Sequence, residues 1–228
     1  MAQGVWVKVF PPPPVVKPEL PGLGGWADVS DAPTSTYTDA AGVKWNVWTF
    51  AASGTLNVSK EGLLDCLIVG AGGRSSNWYA RNTGGGAGAV RANLVKLPAG
   101  PHQVTVGVAV TAVVGADAAA STNGTGGSSS IGAYATAGGG QGSTDIADLG
   151  AHAAGGGGSP ASVAGPNGGS NQPGGGAAGI PAGLLLNYDG TSREYGRGGS
   201  PAPVHAPGEG GWANGPGTNG IVIVRRPA

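Results

Sequence analysis

Several things are scarce in this chain, and each scarcity excludes something. Among 228 residues there is one cysteine, Cys66, so neither an internal disulfide nor a cysteine zinc site can form. It sits in LLDCLIV, where it reads as a small buried apolar residue. Charged residues make up 11%, with 12 Lys and Arg against 12 Asp and Glu. No basic stripe results, which excludes nucleic-acid binding by phosphate neutralisation. No charged amphipathic helix is present to lie on a membrane, and no apolar run approaches the ~18 residues of a bilayer span. Large core-building residues are few, with two Phe and one Met, so the core is expected to be small and sheet-like. The start, MAQGVWVKVF, has no signal-peptide apolar region and meets PPPP at once. The expectation is a product kept in the cytoplasm where it is made, or assembled there into a particle.

What is abundant is glycine, 48 residues, with 18 prolines. Such a content without a strict period ordinarily argues for disorder. Disordered chains, however, lack β-branched and aromatic residues, whereas this one is 39% hydrophobic with six Trp. GGGAGAV (84–90), AGGGG (154–158) and PGGGAAG (173–179) lie between short apolar runs. The reading is an all-β scaffold with ordered glycine-rich insertions. A structureless loop of the length of 138–182 would be unusual in a compact domain. The alternative is that glycine tracts form extended helices with three residues per turn, packed backbone to backbone as in polyglycine II. Glycine ordering is entropically expensive, which favours a homo-oligomer in which neighbours cover bare surface.

Residues 1–36 read as an arm. VWVKVF alternates like a short strand, and PPPP with KPELPGLGG favours polyproline II. Trp6, Phe10, Pro11, Pro12, Pro13 and Pro14 suit an attachment segment lying along another protein; the alternative is a flexible leader. Residues 37–228 read as the domain. TYTDAAGVKWNVWTFAA, GTLNVSKEG and LLDCLIVGAGG predict strands, the last a central one buried on both faces. Trp45 and Trp48 alternate within a strand and read as core or interface. GAVRANLVKL (88–97) and PAGPHQVTVGVAV (98–110) predict a hairpin. SSSIGAYATAGG (128–139) predicts one strand, LLLNYDG (184–190) a short apolar piece, and GIVIVRRP (220–227) a closing strand. No window has helical periodicity.

Catalytic signals are absent. LIVGAGG resembles a dinucleotide fingerprint in Gly70 and Gly72, but Ser75 stands at the third glycine and no helix follows. His102, His152 and His205 have no metal-ligand spacing. No G-x-S-x-G elbow occurs. Asp145 and Asp148 form the closest acid pair, which alone does not make a glycan hydrolase. The expectation is a protein that is not an enzyme, with no cofactor and no metal. Two loops gather rings, amides and arginines. SSNWYARNT holds Asn77, Trp78, Tyr79 and Arg81. NYDGTSREYGRGG holds Tyr188, Arg193, Tyr195 and Arg197. Rings with a polar handle beside Asn and Arg suit a recognition surface. The competing reading is that these rings pack over the glycine tracts and shield them.

WTFAASGTLNV, LLDCLIVGAGG, GGGAGAVRANLVKLPAGPHQVTVG and the terminal GTNGIVIVRRP, in that order over roughly 45–227, resemble the glycine-rich domain of bacteriophage tail fibres and minor tail proteins. A related module in some animal receptor kinases is a jelly-roll-like β-sandwich with packed polyglycine helices, and the resemblance implies that architecture here. It also implies a virion protein at the tail tip or fibre that contacts the host cell surface, with other tail-tip proteins and a host-envelope glycan or protein as partners. Homotrimers are common among such proteins. A purely structural tail-tip or adaptor role is the alternative. The long tract departs from the family pattern by mixing Ala, Ser, Asn and Pro with glycine (GSPASVAGPNGGSNQPGGG).

Overall fold

The computed structural model describes residues 24–78, 81–83, 85–110, 124–142, 144–146, 151–153, 184–199, 206–211 and 215–228. Among these residues there is no α-helix, and the chain is an antiparallel β-sandwich. One sheet holds β2 (Ser35–Thr38), β3 (Lys44–Phe50), β5 (Gly62–Val69), β8 (Val90–Leu97) and β16 (Ile221–Pro227), in the order β2-β3-β16-β5-β8. The second holds β1 (Asp28–Val29), β4 (Gly54–Lys60), β9 (Gly100–Thr105), β10 (Ser129–Ile131) and β11 (Ala135–Ala137), in the order β1-β4-β9-β10-β11. The chain passes from sheet to sheet between β3 and β4, β4 and β5, and β8 and β9, a jelly-roll-like path. Three small hairpins complete the fold: β6 (Ser76–Trp78) with β7 (Arg81–Thr83), β12 (Thr144–Ile146) with β13 (Ala151–Ala153), and β14 (Leu184–Asn187) with β15 (Ser192–Tyr195).

Side-chain alternation decides what each sheet covers. In β4 and β9, Leu56, Val58, His102 and Val104 are buried while Thr55, Ser59 and Gln103 are exposed, so the second sheet is half-wet. In β5 and β16 both faces are buried. Leu64, Cys66, Ile68, Val222 and Val224 meet the second sheet. Leu67, Val69, Ile221 and Ile223 meet the β14–β15 hairpin through Tyr188 and Tyr195. That is why LLDCLIV and GIVIV read as continuous apolar runs. Each such fully buried aliphatic side chain contributes about 1.5–3 kcal/mol.

Three local readings are corrected. Residues 90–97 and 100–105 do not form a hairpin: β8 pairs with β5, whereas β9 pairs with β4 and β10 in the other sheet. The Pro98–Gly100 signal specified the chain reversal but not which sheet the returning strand joins. Residues 128–139 make two strands about the turn at Gly132 (φ 47) rather than one. The closing strand forms as expected, and β16 lies between β3 and β5, because its β-branched residues are apolar on both faces. The arm expected to reach residue 36 gives way to strand pairing at Trp26, which bridges Leu63, and then at β1. Trp6, Phe10 and Pro11 to Pro14 lie outside the described residues.

Beyond Val69 the chain forms a different kind of structure. The amides of Gly70 and Gly73 donate to Ala89 and Gly86, those of Ala71 and Arg74 to Gly127 and Gly124, and those of Gly72 and Ser75 to Thr218 and Gly215. Successive peptide groups thus address three neighbours in turn and return to the first after three residues, the geometry of an extended three-residue-per-turn helix. The 85–89 segment repeats the pattern, with Gly85 and Gly88 donating to Gly211 and Gly208, and Gly86 and Ala89 to Gln141 and Gly138. Gly140 and Gly211 in turn donate to the carbonyls of Ala71 and Gly73, so segment 70–75 is bonded to five surrounding segments and is the axis of the bundle. The packing leaves no room for a side chain at key points. A Cβ on Gly72 would lie 1.9 Å from the Glu209 carbonyl oxygen, and one on Gly139 would lie 1.7 Å from that of Gly126. The tracts at 154–158 and 173–179 lie outside the described residues.

The sandwich therefore has two unlike poles. The bundle continues from the ends of β5, β8, β9, β10, β11 and β16 that share one pole, as the register of Val69 with Val90 and Ile221 requires. At the opposite pole the chain enters at Gly25, whose carbonyl accepts from Leu63, and Ala228 donates to Lys44.

Candidate recognition surface

Two hairpins lie at the far end of the glycine bundle. β6 follows directly on the axial segment, and its register sets Asn77 opposite Asn82 and Trp78 opposite Arg81. β12 lies beside β6, with Asp145 opposite His152 in the β12–β13 register. The geometry thus brings Asn77, Trp78 and Arg81 of the first expected recognition loop onto one distal hairpin. Tyr79 lies outside the described residues, as does Asp148.

The second expected loop goes elsewhere. Tyr188, Arg193, Tyr195 and Arg197 belong to or border the β14–β15 hairpin, which lies flat on the outer face of the first sheet. The expectation of exposed rings is corrected here: Tyr188 is 7% and Tyr195 0% exposed. The hairpin's apolar face, Leu184, Leu186 and both rings, covers Val90, Leu67 and Ile223. This is the shielding alternative, directed at a sheet face rather than at glycine. Arg193 pairs with Asp189 at 2.8 Å, and Arg197 Nη1 lies 3.9 Å from Glu194. Burial, with the Asp189 charge, pushes the Tyr195 hydroxyl up to about 12.

Under that hairpin lies a polar network that the sequence reading did not single out. Arg225 on β16 stacks between two rings, 4.5 Å from the Trp45 centroid and 4.1 Å from that of Tyr188. Its Nε and Nη2 each reach Asp65 Oδ2 at 2.8 Å, and its Nη1 donates to the Tyr37 hydroxyl and to the Asn187 carbonyl. Tyr188 donates to Asp65 Oδ1 at 2.9 Å. Arg225 and Asp65 are direct cross-strand partners, so strand register places the ion pair. Trp45 Nε1 donates to Asp39, which holds that carboxyl below the usual range. The signal in the sequence was the odd-numbered row Asp65, Leu67, Val69 beside Ile221, Ile223, Arg225: one charge of each sign on otherwise apolar faces. The network is satisfied internally and serves to anchor the hairpin.

The fingerprint-like LIVGAGG carries no phosphate site, since every amide from Gly70 to Ser75 donates to a backbone carbonyl. Among the described residues no group of His, Cys, Asp and Glu has the arrangement of a metal site. Cys66 is fully buried, and burial pushes its thiol well above the usual range. Among the described residues no helix is long and apolar enough to cross a membrane. No protein-family model matches the chain, and no curated protein matches it either.

Proposed function

We propose that this chain is a bacteriophage minor tail protein, at the tail tip or on a fibre, whose distal end contacts the host cell surface. The observation that carries the reading is the polarity of the molecule. The described residues begin at Gly24 at one pole of the sandwich, and the glycine bundle at the other bears the β6–β7 hairpin, on which Asn77, Trp78 and Arg81 lie. A sandwich that carries a packed glycine bundle and a terminal hairpin at one pole suits a protein held by a larger assembly and presented outward. A bundle packed backbone to backbone is a stiff spacer for this purpose, because its backbone groups are bonded to neighbouring segments on several sides. The sequence resemblance to tail-fibre glycine-rich domains supports the same reading, with other tail-tip proteins and a host-envelope glycan or protein as partners. On this reading the chain is a homo-oligomer, most naturally a trimer, and has no catalytic role.

A second reading, a purely structural tail-tip or adaptor component, draws on the burial of Tyr188 and Tyr195, which removes two rings from any contact surface. Gold-tagged antibody against this chain on intact particles tests both. Label at the tail tip is the expected result, and unlabelled particles would remove both readings. Trp78→Ala particles then separate the two, since adsorption falls if the hairpin touches the host and is unchanged if it does not.

A further inference from the structure

The first sheet has its outer face covered by the β14–β15 hairpin, whereas the second turns its outer face to solvent. Alternation decides which side chains stand outward there, since Leu56, Val58, Val104 and Ile131 are buried between the sheets. The outward positions of β4, β9, β10 and β11 hold Thr, Ser, Asn, Gln and one Pro, and no Asp, Glu, Lys or Arg. Register joins them across the strands: Thr55 stands opposite Gln103, Thr105 opposite Ser130, and Ser130 opposite Thr136. Asn57 and Ser59 on the same face are committed to Asp31 and to the Asp28 carbonyl. Thr55, Gln103, Thr105, Ser130 and Thr136 thus make a continuous tract of hydroxyl and amide groups, each able to donate and to accept. The β10–β11 turn borders the tract, with the Gly132 amide donating to the Gln103 carbonyl. That turn holds out Tyr134, whose ring is 46% exposed and is fixed edge-on to His102 at 5.4 Å between centroids.

The chemistry of the tract selects its ligand. An anionic polymer or a charged protein surface finds no counter-charge on it. A protein interface asks for an apolar or aromatic centre, which the tract lacks. A neutral polyhydroxy ligand finds both things it requires. Neighbouring strands set donors and acceptors about 4.7–4.9 Å apart, a spacing that the hydroxyls of one sugar ring can bridge. The exposed phenol ring at the rim offers an apolar surface to the C–H face of a pyranose. Threonine is also stiff at its first side-chain torsion, so little rotamer freedom is lost when it is engaged. We infer that the outer face of the second sheet binds a neutral polysaccharide, with Thr55, Gln103, Thr105, Ser130 and Thr136 as its hydrogen-bonding residues and Tyr134 as its stacking platform. This face is distinct from the β6–β7 hairpin, so the inference goes beyond the host-contact reading and does not depend on it.

Native affinity electrophoresis of the full chain tests it, in gels containing dextran, mannan, a mixed-linkage β-glucan or a polyuronate. Retardation by at least one of the three neutral polymers, insensitive to salt, is expected, with none by the polyuronate. The double variant Thr105→Val/Thr136→Val keeps shape and strand preference but removes two hydroxyls, and is expected to bind about tenfold or more weakly. Tyr134→Ala is expected to lose about three- to tenfold. Circular dichroism checks that both variants fold, and if Tyr134→Ala does not, the valine pair carries the comparison. Indifference of the wild type to all three neutral polymers overturns the inference, as does unchanged binding by the folded valine variant. A valine pair that alters the sedimentation mass and not the sugar binding makes the face a contact between copies, and overturns it too. The outcome separates from the host-contact reading. Tip label on particles with no sugar binding overturns this inference alone, whereas sugar binding by a chain missing from particles overturns the virion assignment alone.

Discussion

The Tyr188 hydroxyl donates to Asp65 Oδ1 at 2.9 Å, joining residues 123 apart in sequence. That bond, with the Arg225 guanidinium stacked under the same ring, fastens the β14–β15 hairpin to the first sheet. It turns a ring that the sequence offered for recognition into an internal clasp.

The clasp has a measurable strength. Removing Arg225 as Arg225→Met leaves Asp65 half-buried without its cation and strips the stack from Trp45 and Tyr188. A loss of about 3 kcal/mol is expected, the usual cost of breaking a largely buried pair from one side. Urea unfolding of the variant against the wild type measures it; a loss below about 1 kcal/mol would mean that the pair behaves as an exposed one.

Tyr195 behaves differently from Tyr188. Its ring is fully buried, and its hydroxyl has no hydrogen-bond partner among the described residues. Tyr195→Phe removes an unsatisfied polar group and is expected to raise stability by about 1 kcal/mol. Tyr195→Ala opens the core under the hairpin and is expected to cost about 3–5 kcal/mol. Chemical denaturation of both variants checks the pair of signs, and destabilisation by Phe would show that the hydroxyl is bonded in solution.

Alkaline pH should weaken the fold through these two rings. In the unfolded chain the phenols titrate near 10. In the folded protein burial raises both, Tyr195 to about 12 and Tyr188 further, with the Asp65 charge adding to the latter. The folded state therefore holds protons that the unfolded state has released, and stability present below about pH 10 is lost as pH rises towards 12. Unfolding midpoints measured from pH 8 to 11.5 should fall above pH 10, and fall less steeply in Tyr195→Phe. A flat profile across that range would contradict the burial of both hydroxyls.

The bundle makes a sharp distinction among glycines. Gly72→Ala forces a methyl against the Glu209 carbonyl, where backbone cannot move aside, and is expected to cost about 3 kcal/mol or more. Gly54→Ala meets only the Phe50 ring edge at 3.5 Å, an ordinary contact, and is expected to change stability by less than about 1 kcal/mol. Melting temperatures of the two variants provide the check. Equal effects would argue against backbone-to-backbone packing.

The fold class was legible in the sequence because it rests on local patterns. Alternation in GTLNVSK and GPHQVT marked strands with one wet face, and the unbroken runs LLDCLIV and GIVIV marked strands buried twice over. Glycine without side chains permitted close backbone packing, and the sequence suggested it. Which strands pair was not legible. β8 and β9 adjoin in sequence yet join opposite sheets, and β16 inserts between β3 and β5, because pairing depends on burial summed over distant residues. The candidate surface was half legible. SSNWYARNT was marked by its rings and Arg81, and its β6–β7 hairpin follows the axial segment of the bundle. NYDGTSREYGRGG carried the same marks, but the apolar outer face of the first sheet claimed its tyrosines. Composition and periodicity thus determined that this protein is an all-β scaffold with ordered glycine segments. Only the tertiary structure decided which rings are core and which arginine is clasped, since an aromatic or a cation takes its role from what the rest of the chain places against it.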